Sequence, residues 1–153
     1  MVISRNIFEL LVRHLIKIED EKLYVIEKYY PSWTNERHSF QEILDSYIKE
    51  LETIIYSYVT VSEDASDLCP FVIIGSRMVL KDESTNTTED IQIISPFSGE
   101  ADLNMDSASY LSPMGRAFLL KKVNDSVKVE TPMGILNYRI EAVELPDDLK
   151  QFY

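Results

Sequence analysis

The sequence predicts an α+β protein, with an N-terminal antiparallel α-helical coiled-coil hairpin followed by a mainly antiparallel sheet that carries one helix. Three observations carry this reading. Two apolar heptad stripes of similar length are joined by fewer than ten residues, which argues two helices running back to back. After the small, acidic stretch Val61-Ser62-Glu63-Asp64-Ala65-Ser66-Asp67 the apolar period changes from helical to strand-like. Further on, Thr131-Pro132-Met133-Gly134 separates two alternating segments and has the glycine that a tight hairpin turn needs. The expected organisation is a hairpin domain over residues 1–62 and a sheet domain over 68–153, joined by a linker.

The first helix is expected from residue 4 to about residue 30. Ser4 is a good N-cap. Phe8, Leu11, Leu15, Ile18, Lys22, Val25 and Tyr29 follow spacings of three and four. Lys22 fits such a seam by laying its methylene stem along it and keeping its ammonium in water. Tyr30-Pro31 ends the helix, because proline disfavours helical geometry in the residue before it. Ser39 and Glu42 have the spacing of a capping box for the second helix, while Thr34 or Asn35 would start it a turn earlier. The residues leave that choice open. Phe40, Leu44, Tyr47, Leu51, Ile54 and Tyr58 form the second seam. Arms of about 25 residues would be roughly 37 Å long. Leu10, Ile26, Ile43, Ile48 and Ile55 lie beside the seams and would equally suit an ordinary helical bundle.

In the second half, Phe71 to Leu80 reads as a strand with Gly75 at a bulge or bend. Lys81 to Asp90 reads as a polar loop, and Ile91 to Ile94 as a returning strand. Ser95 to Asp106 reads as irregular, with Pro96, Gly99, Glu100 and Asp102. Ser112 is an N-cap with Pro113 at the first helical position, where a missing N–H costs nothing. The short helix begun there offers Phe118 and Leu119 to a core and places Lys121 and Lys122 at the negative end of its dipole. Asn124-Asp125 makes a turn, and Val127–Glu130 pairs with Leu136–Val143. One helix on such a sheet is an α+β module.

Charge narrows the function classes. The net charge is −11, with 7 basic and 10 acidic side chains in residues 1–60 and 8 and 16 in residues 61–153. Neither half suits binding to a phosphate backbone by counterion release. The single cysteine, Cys69, excludes an internal disulfide and a multi-cysteine zinc site. His14 and His38 lack metal-ligand spacing. Arg5, Glu9, Arg13 and Lys17 interrupt the first twenty residues, so neither a signal-peptide core nor a membrane span is expected there. A cytoplasmic location is the default expectation.

The segment SPMGRAFLLKKVNDSVKVETPMG resembles, nearly position by position, the SP-x-GRALLGKK-x-GD-x-V-x-V-x-TP-x-G block of the Gre-type (GreA/GreB) transcription elongation factors. VIIGSRMVL is similar to the strand that opens that family's C-terminal domain, GEADLNMDSASYLSPMGRA to its EAD…SP segment, and LNYRIEAVE to its final strand. The resemblance implies an FKBP-like C-terminal domain preceded by a coiled-coil hairpin, and RNA polymerase as the partner. It implies that the domain docks on the rim of the polymerase secondary channel, with Ser112, Pro113, Gly115 and Arg116 in the docking segment. The hairpin would then enter the channel with Trp33, Asn35, Glu36 and Arg37 at its tip.

Cleavage-stimulating members of that family carry two tip carboxylates, in a motif similar to Asp-Leu-Ser-Glu-Asn-Ala-Glu-Tyr, that help hold a magnesium ion. Mg²⁺ wants hard oxygen ligands, and a two-metal site clamps attacking and leaving oxygens. This sequence departs from that motif. Glu36 is the sole acid between Pro31 and Ser39, and Arg37 and His38 come directly after it. The expectation is therefore a non-enzymatic channel-binding regulator, similar to the short-hairpin relatives known as regulators of nucleoside diphosphate kinase. No catalytic residue, metal ligand, cofactor, membrane, small-molecule substrate or direct sequence-specific nucleic-acid contact is expected. Two alternatives stay open. One is a cleavage-stimulating factor with a divergent tip. The other is an FKBP-like peptidyl-prolyl isomerase whose pocket would be lined by Phe71, Phe97, Tyr110, Phe118 and Tyr138. Trp33 likewise has two readings, an exposed contact residue or a plug closing the end of the hairpin.

Overall fold

The computed structural model describes residues 1–97 and 106–145. The chain forms two compact units, Met1–Asp67 and the residues from Leu68 onward. In the first, α1 (Arg5–Tyr29) and α2 (Asn35–Thr53) form the helical hairpin. Ser4 caps α1, its hydroxyl accepting from the Ile7 N–H at 3.2 Å. The buried face of α1 is Ile7, Leu10, Leu11, His14, Leu15, Ile18 and Val25, with Phe8 half-buried and Tyr29 exposed. The seam is thus broader than the predicted stripe and centred to one side of it, as a helix of 3.6-residue period packs.

Thr34 is the cap of α2, accepting from the Arg37 N–H at 3.2 Å, so the helix takes the earlier of the two possible starts. Ser39 and Glu42 consequently lie inside the helix and make no capping box; Glu42 instead approaches His38 at 3.7 Å. Phe40, Leu44, Tyr47, Ile48 and Leu51 are the buried face of α2. Lys22 and Asp45 pair across the two helices at 2.7 Å.

The predicted seam does not continue to Tyr58. Ile54–Tyr58 is a π-helical turn, in which Ile55 is buried and Tyr58 is 64% exposed. The wider turn adds a residue per repeat and rotates the downstream residues off the seam. Thr60–Val61 (β2) then pairs in parallel with Val2–Ile3 (β1) at the start of the chain. Val61 is therefore a strand residue, where the sequence suggests linker. Two-residue strands have no periodicity to read, and the whole helical hairpin separates these two along the chain. Arg5 approaches Glu63 at 3.3 Å, and Asn6 donates to Asp67.

The second unit is a five-stranded sheet in the order β5-β4-β3-β7-β6. Its strands are β3 (Arg77–Asp82), β4 (Thr87–Ile94), β5 (Asp106–Ser109), β6 (Ser126–Thr131) and β7 (Gly134–Glu144), with α3 (Pro113–Phe118) between β5 and β6. All neighbours are antiparallel except β4 and β5, which are parallel. Phe71, Met78, Leu80, Ile93, Tyr110, Phe118, Val129 and Ile140 are core residues.

Three expectations are corrected here. Phe71 to Ile74 is buried but lies outside the sheet. Gly75, at φ +101°, turns the chain before β3 starts at Arg77. The buried Ser76 hydroxyl fixes that turn by accepting from the Ile73 N–H. Lys81 to Asp90 is largely strand rather than loop, since β3 runs to Asp82 and β4 resumes at Thr87. Where the strands project past the core they need ladder hydrogen bonds and no apolar face, so period-2 patterning is absent there. Asp82 closes their turn by accepting from both the hydroxyl and the N–H of Ser84, which hold its carboxyl below the usual range. Finally, α3 stops at Phe118, and Leu120 has φ +66°, so Lys121 and Lys122 lie beyond the helix. Gly99, Glu100 and Asp102 fall outside the described residues. No described helix is long and apolar enough to cross a membrane.

Candidate functional site

Two surfaces carry the side chains singled out by the sequence: the hairpin tip in the first unit and α3 in the second. At the tip, Trp33 is 84% exposed. The Arg37 guanidinium lies 3.8 Å from its ring centroid and donates to the Pro31 carbonyl at 3.3 Å. Such a cation–π contact contributes on the order of 0.5–1 kcal/mol at an exposed site and orients both side chains. Trp33 is therefore no plug. Phe40, 2% exposed, fills that end of the seam with Tyr30 against it, the ring centroids 5.4 Å apart. Asn35 and Glu36 are exposed in the first turn of α2, where a carboxylate favours the helix dipole. Among the described residues no group of three or more His, Cys, Asp or Glu side chains is placed to hold a metal.

In α3 the four motif residues divide into two kinds. The Ser109 carbonyl accepts from the Ser112 N–H at 3.0 Å and from its hydroxyl at 2.7 Å. That hydroxyl in turn accepts from the Gly115 N–H at 3.0 Å. A Cβ on Gly115 would stand 2.0 Å from the Ser109 carbonyl oxygen. Ser112 and Gly115 thus hold the helix against the strand that precedes it. Pro113 and Arg116 are exposed.

Four of the five aromatic residues named for an isomerase pocket pack in the core. Phe71, Tyr110 and Phe118 are fully buried and Tyr138 is 4% exposed, with the Phe118 and Tyr138 ring centroids 5.8 Å apart. Phe97 is half-buried. Cys69 is also buried, and desolvation pushes its thiol up to about 12, so it is no nucleophile.

One polar pair escaped sequence reading. His14 is fully buried in the hairpin seam, with its Nε2 2.8 Å from the Tyr47 hydroxyl. Burial first, and the Lys17 charge second, lower its pKa to about 3, so the imidazole is neutral at physiological pH. The signal was present: His14 lies three residues from Leu11 and four from Ile18, on the buried face, and Tyr47 is a seam residue.

Residues 67–145, just over half the chain, match the family described as Transcription elongation factor, GreA/GreB, C-term. The chain belongs to that family. It is 35% identical over 72 residues to the transcription elongation factor GreA of Thermosipho melanesiensis, covering 47% of this chain and 45% of the relative. Against GreA of Ruegeria pomeroyi it is 32% identical over 106 residues, 68% of this chain and 64% of the relative. The chain spans between about two fifths and two thirds of the length of these curated relatives. Among solved structures, the GreA/GreB elongation factor from Nitrosomonas europaea shares the fold, with a TM-score of 0.53 at 21% identity over 94% of this chain and 98% of that one.

Proposed function

We propose that this protein is a cytoplasmic regulator that binds RNA polymerase at the secondary channel and does not stimulate transcript cleavage. The observation that carries the proposal is the tip. Glu36 is its one carboxylate, and the adjacent Arg37 is held in place on Trp33. At about 4 Å and an effective dielectric near 20, one positive charge disfavours another by roughly 4 kcal/mol, and a divalent ion by more. Exposure screens part of this, but the sign opposes metal recruitment. Cleavage chemistry of the two-metal kind needs the reverse, paired oxygens that attract a cation. On this reading Trp33 and Arg37 are the tip's contact residues, and Pro113 and Arg116 belong to the docking surface on α3.

The test is release of short 3′ RNA fragments from a backtracked polymerase complex. Wild type is expected to bind core polymerase and release none. Arg37→Ala combined with Ser39→Glu, which sets two exposed acids three positions apart, is expected to gain Mg²⁺-dependent cleavage. Robust cleavage by wild type that is lost in Glu36→Ala would overturn the proposal and make Glu36 catalytic.

A further inference from the structure

The end of α2 carries two incompatible instructions. By sequence, Leu51, Ile54 and Tyr58 continue a heptad seam, and an uninterrupted α-helix would bury Tyr58 on the same stripe as Leu51. In the structure the Ile54 N–H is shared between the Glu50 and Leu51 carbonyls, and Ile54–Tyr58 forms the π-helical turn. That turn lags an α-helix by about one residue, a rotation of roughly 100°. Ile55, four residues after Leu51 on the same stripe, stays in the core at 2% exposed, while Tyr58, seven residues after Leu51, stands 64% exposed and Tyr56 68%.

What the π turn achieves lies immediately downstream. Val59 is extended, and Thr60–Val61 aligns with Val2–Ile3 in the register Val2↔Thr60 and Ile3↔Val61. The Thr60 N–H donates to the Met1 carbonyl at 2.8 Å, and the Ser62 N–H donates to the Ile3 carbonyl at 2.9 Å. Ile3 is fully buried. A strand delivered one residue out of step would turn its side chains to the opposite face and lose this pairing. We propose that the N-terminal strand acts as a strap holding the end of α2 in its π register, and that release of the strap lets the turn revert to α-helix and draw Tyr58 into the seam. The two registers form a bistable element, each stabilised by contacts that the other forfeits. Strap closed, Tyr58 is displayed; strap open, it is hidden.

Tyrosine nitration of the full chain, mapped by mass spectrometry, reads the two states, with Tyr56 as the internal reference. In wild type both tyrosines are expected to react. Ser62→Pro removes a strap hydrogen bond and is expected to lower Tyr58 reactivity at least fivefold relative to Tyr56. Deleting Ser57 removes the extra residue of the turn. It is expected to leave the chain folded, with the Thr60 and Ser62 amides still protected from exchange and Tyr58 reactive. Adding Ser62→Pro to the Ser57 deletion should then have no effect on Tyr58, because no second register remains. A folded Ser62→Pro variant with Tyr58 as reactive as in wild type would overturn the proposal. So would loss of Thr60 and Ser62 amide protection on deleting Ser57, and that second arm decides alone if Ser62→Pro fails to fold.

Discussion

The Nε2 of His14 and the hydroxyl of Tyr47 sit 2.8 Å apart inside the seam between α1 and α2, with the two rings edge to face at 83°. The imidazole is held neutral, its pKa lowered from 6.5 to about 3. In the unfolded chain it regains its ordinary value, so between these two pH values the unfolded state binds more protons than the folded one. The contribution is therefore fully present above pH 6.5 and is lost as pH falls toward 3. The slope approaches about 1.4 kcal/mol per pH unit within that window. Urea denaturation at a series of pH values should show this loss in wild type. His14→Leu combined with Tyr47→Phe should show a shallower decline, with residual acid sensitivity from carboxylates. The single change Tyr47→Phe should cost about 1–3 kcal/mol at pH 7 if it strands a buried nitrogen. Equal slopes in wild type and the double variant would contradict a buried neutral His14.

Gly115→Ala is expected to be among the most disruptive substitutions in the second unit. The added methyl group would meet backbone, the Ser109 carbonyl oxygen at 2.0 Å, which cannot swing aside as a side chain can. Overpacking costs typically about 1–3 kcal/mol, and this site belongs at or beyond the top of that range. A melting-temperature change under about 2 °C, small against the 4–8 °C that roughly 1 kcal/mol produces in a domain of this size, would show that α3 can shift to accommodate it.

Arg116→Glu should behave in the opposite way. The side chain is exposed, so stability is expected to stay within about 0.5 kcal/mol of wild type. Affinity for core polymerase is expected to fall, because the change reverses a charge on the proposed docking surface. Unchanged affinity in a well-folded variant would remove Arg116 from that surface.

Trp33→Ala should likewise leave thermal stability nearly unchanged while weakening polymerase binding by about 2 kcal/mol, roughly thirtyfold, if the indole is an interface hot spot. Trp33 is the chain's single tryptophan, so its emission reports the tip directly. A blue shift on adding polymerase is expected. No spectral change at saturating polymerase would place the indole outside the interface.

Limited proteolysis is expected to cut within Glu63–Asp67, where exposed side chains come after the β2 strand, and to leave a stable fragment that begins near Leu68. First cuts inside β6 or β7 would argue against an independently stable second unit.

The helices and their caps were legible because their causes are local. Ser4 and Ser112 cap the helices expected of them, and the helical period was readable along most of α1 and α2. Elements whose cause lies far along the chain were not. β1 and β2 exist only through each other, and the π turn exists to bring them into step. The polar halves of β3 and β4 looked like loop because a strand that projects past the core needs no apolar alternation. The candidate site was legible as composition, one acid beside one arginine and a tryptophan. The stacking of Arg37 on Trp33 was not, nor was the division of the α3 motif into framing residues, Ser112 and Gly115, and displayed ones, Pro113 and Arg116. His14 was overlooked for a different reason: an ionisable residue on an apolar face reads as an interruption until its partner across the seam is known.

A helix of six residues is too short to sustain itself in water, yet α3 is anchored at both ends. At its start Ser109 and Ser112 interlock; past its end the Leu120 N–H donates to the Val72 carbonyl at 2.7 Å, and the Val72 N–H donates to the Lys121 carbonyl at 2.9 Å. The consequence is mechanical. A load applied to Arg116 passes into the backbone on either side of the helix and does not bend a free arm. Its amides should exchange on the slow timescale of the sheet, and whatever presses on that surface meets a stiff mount.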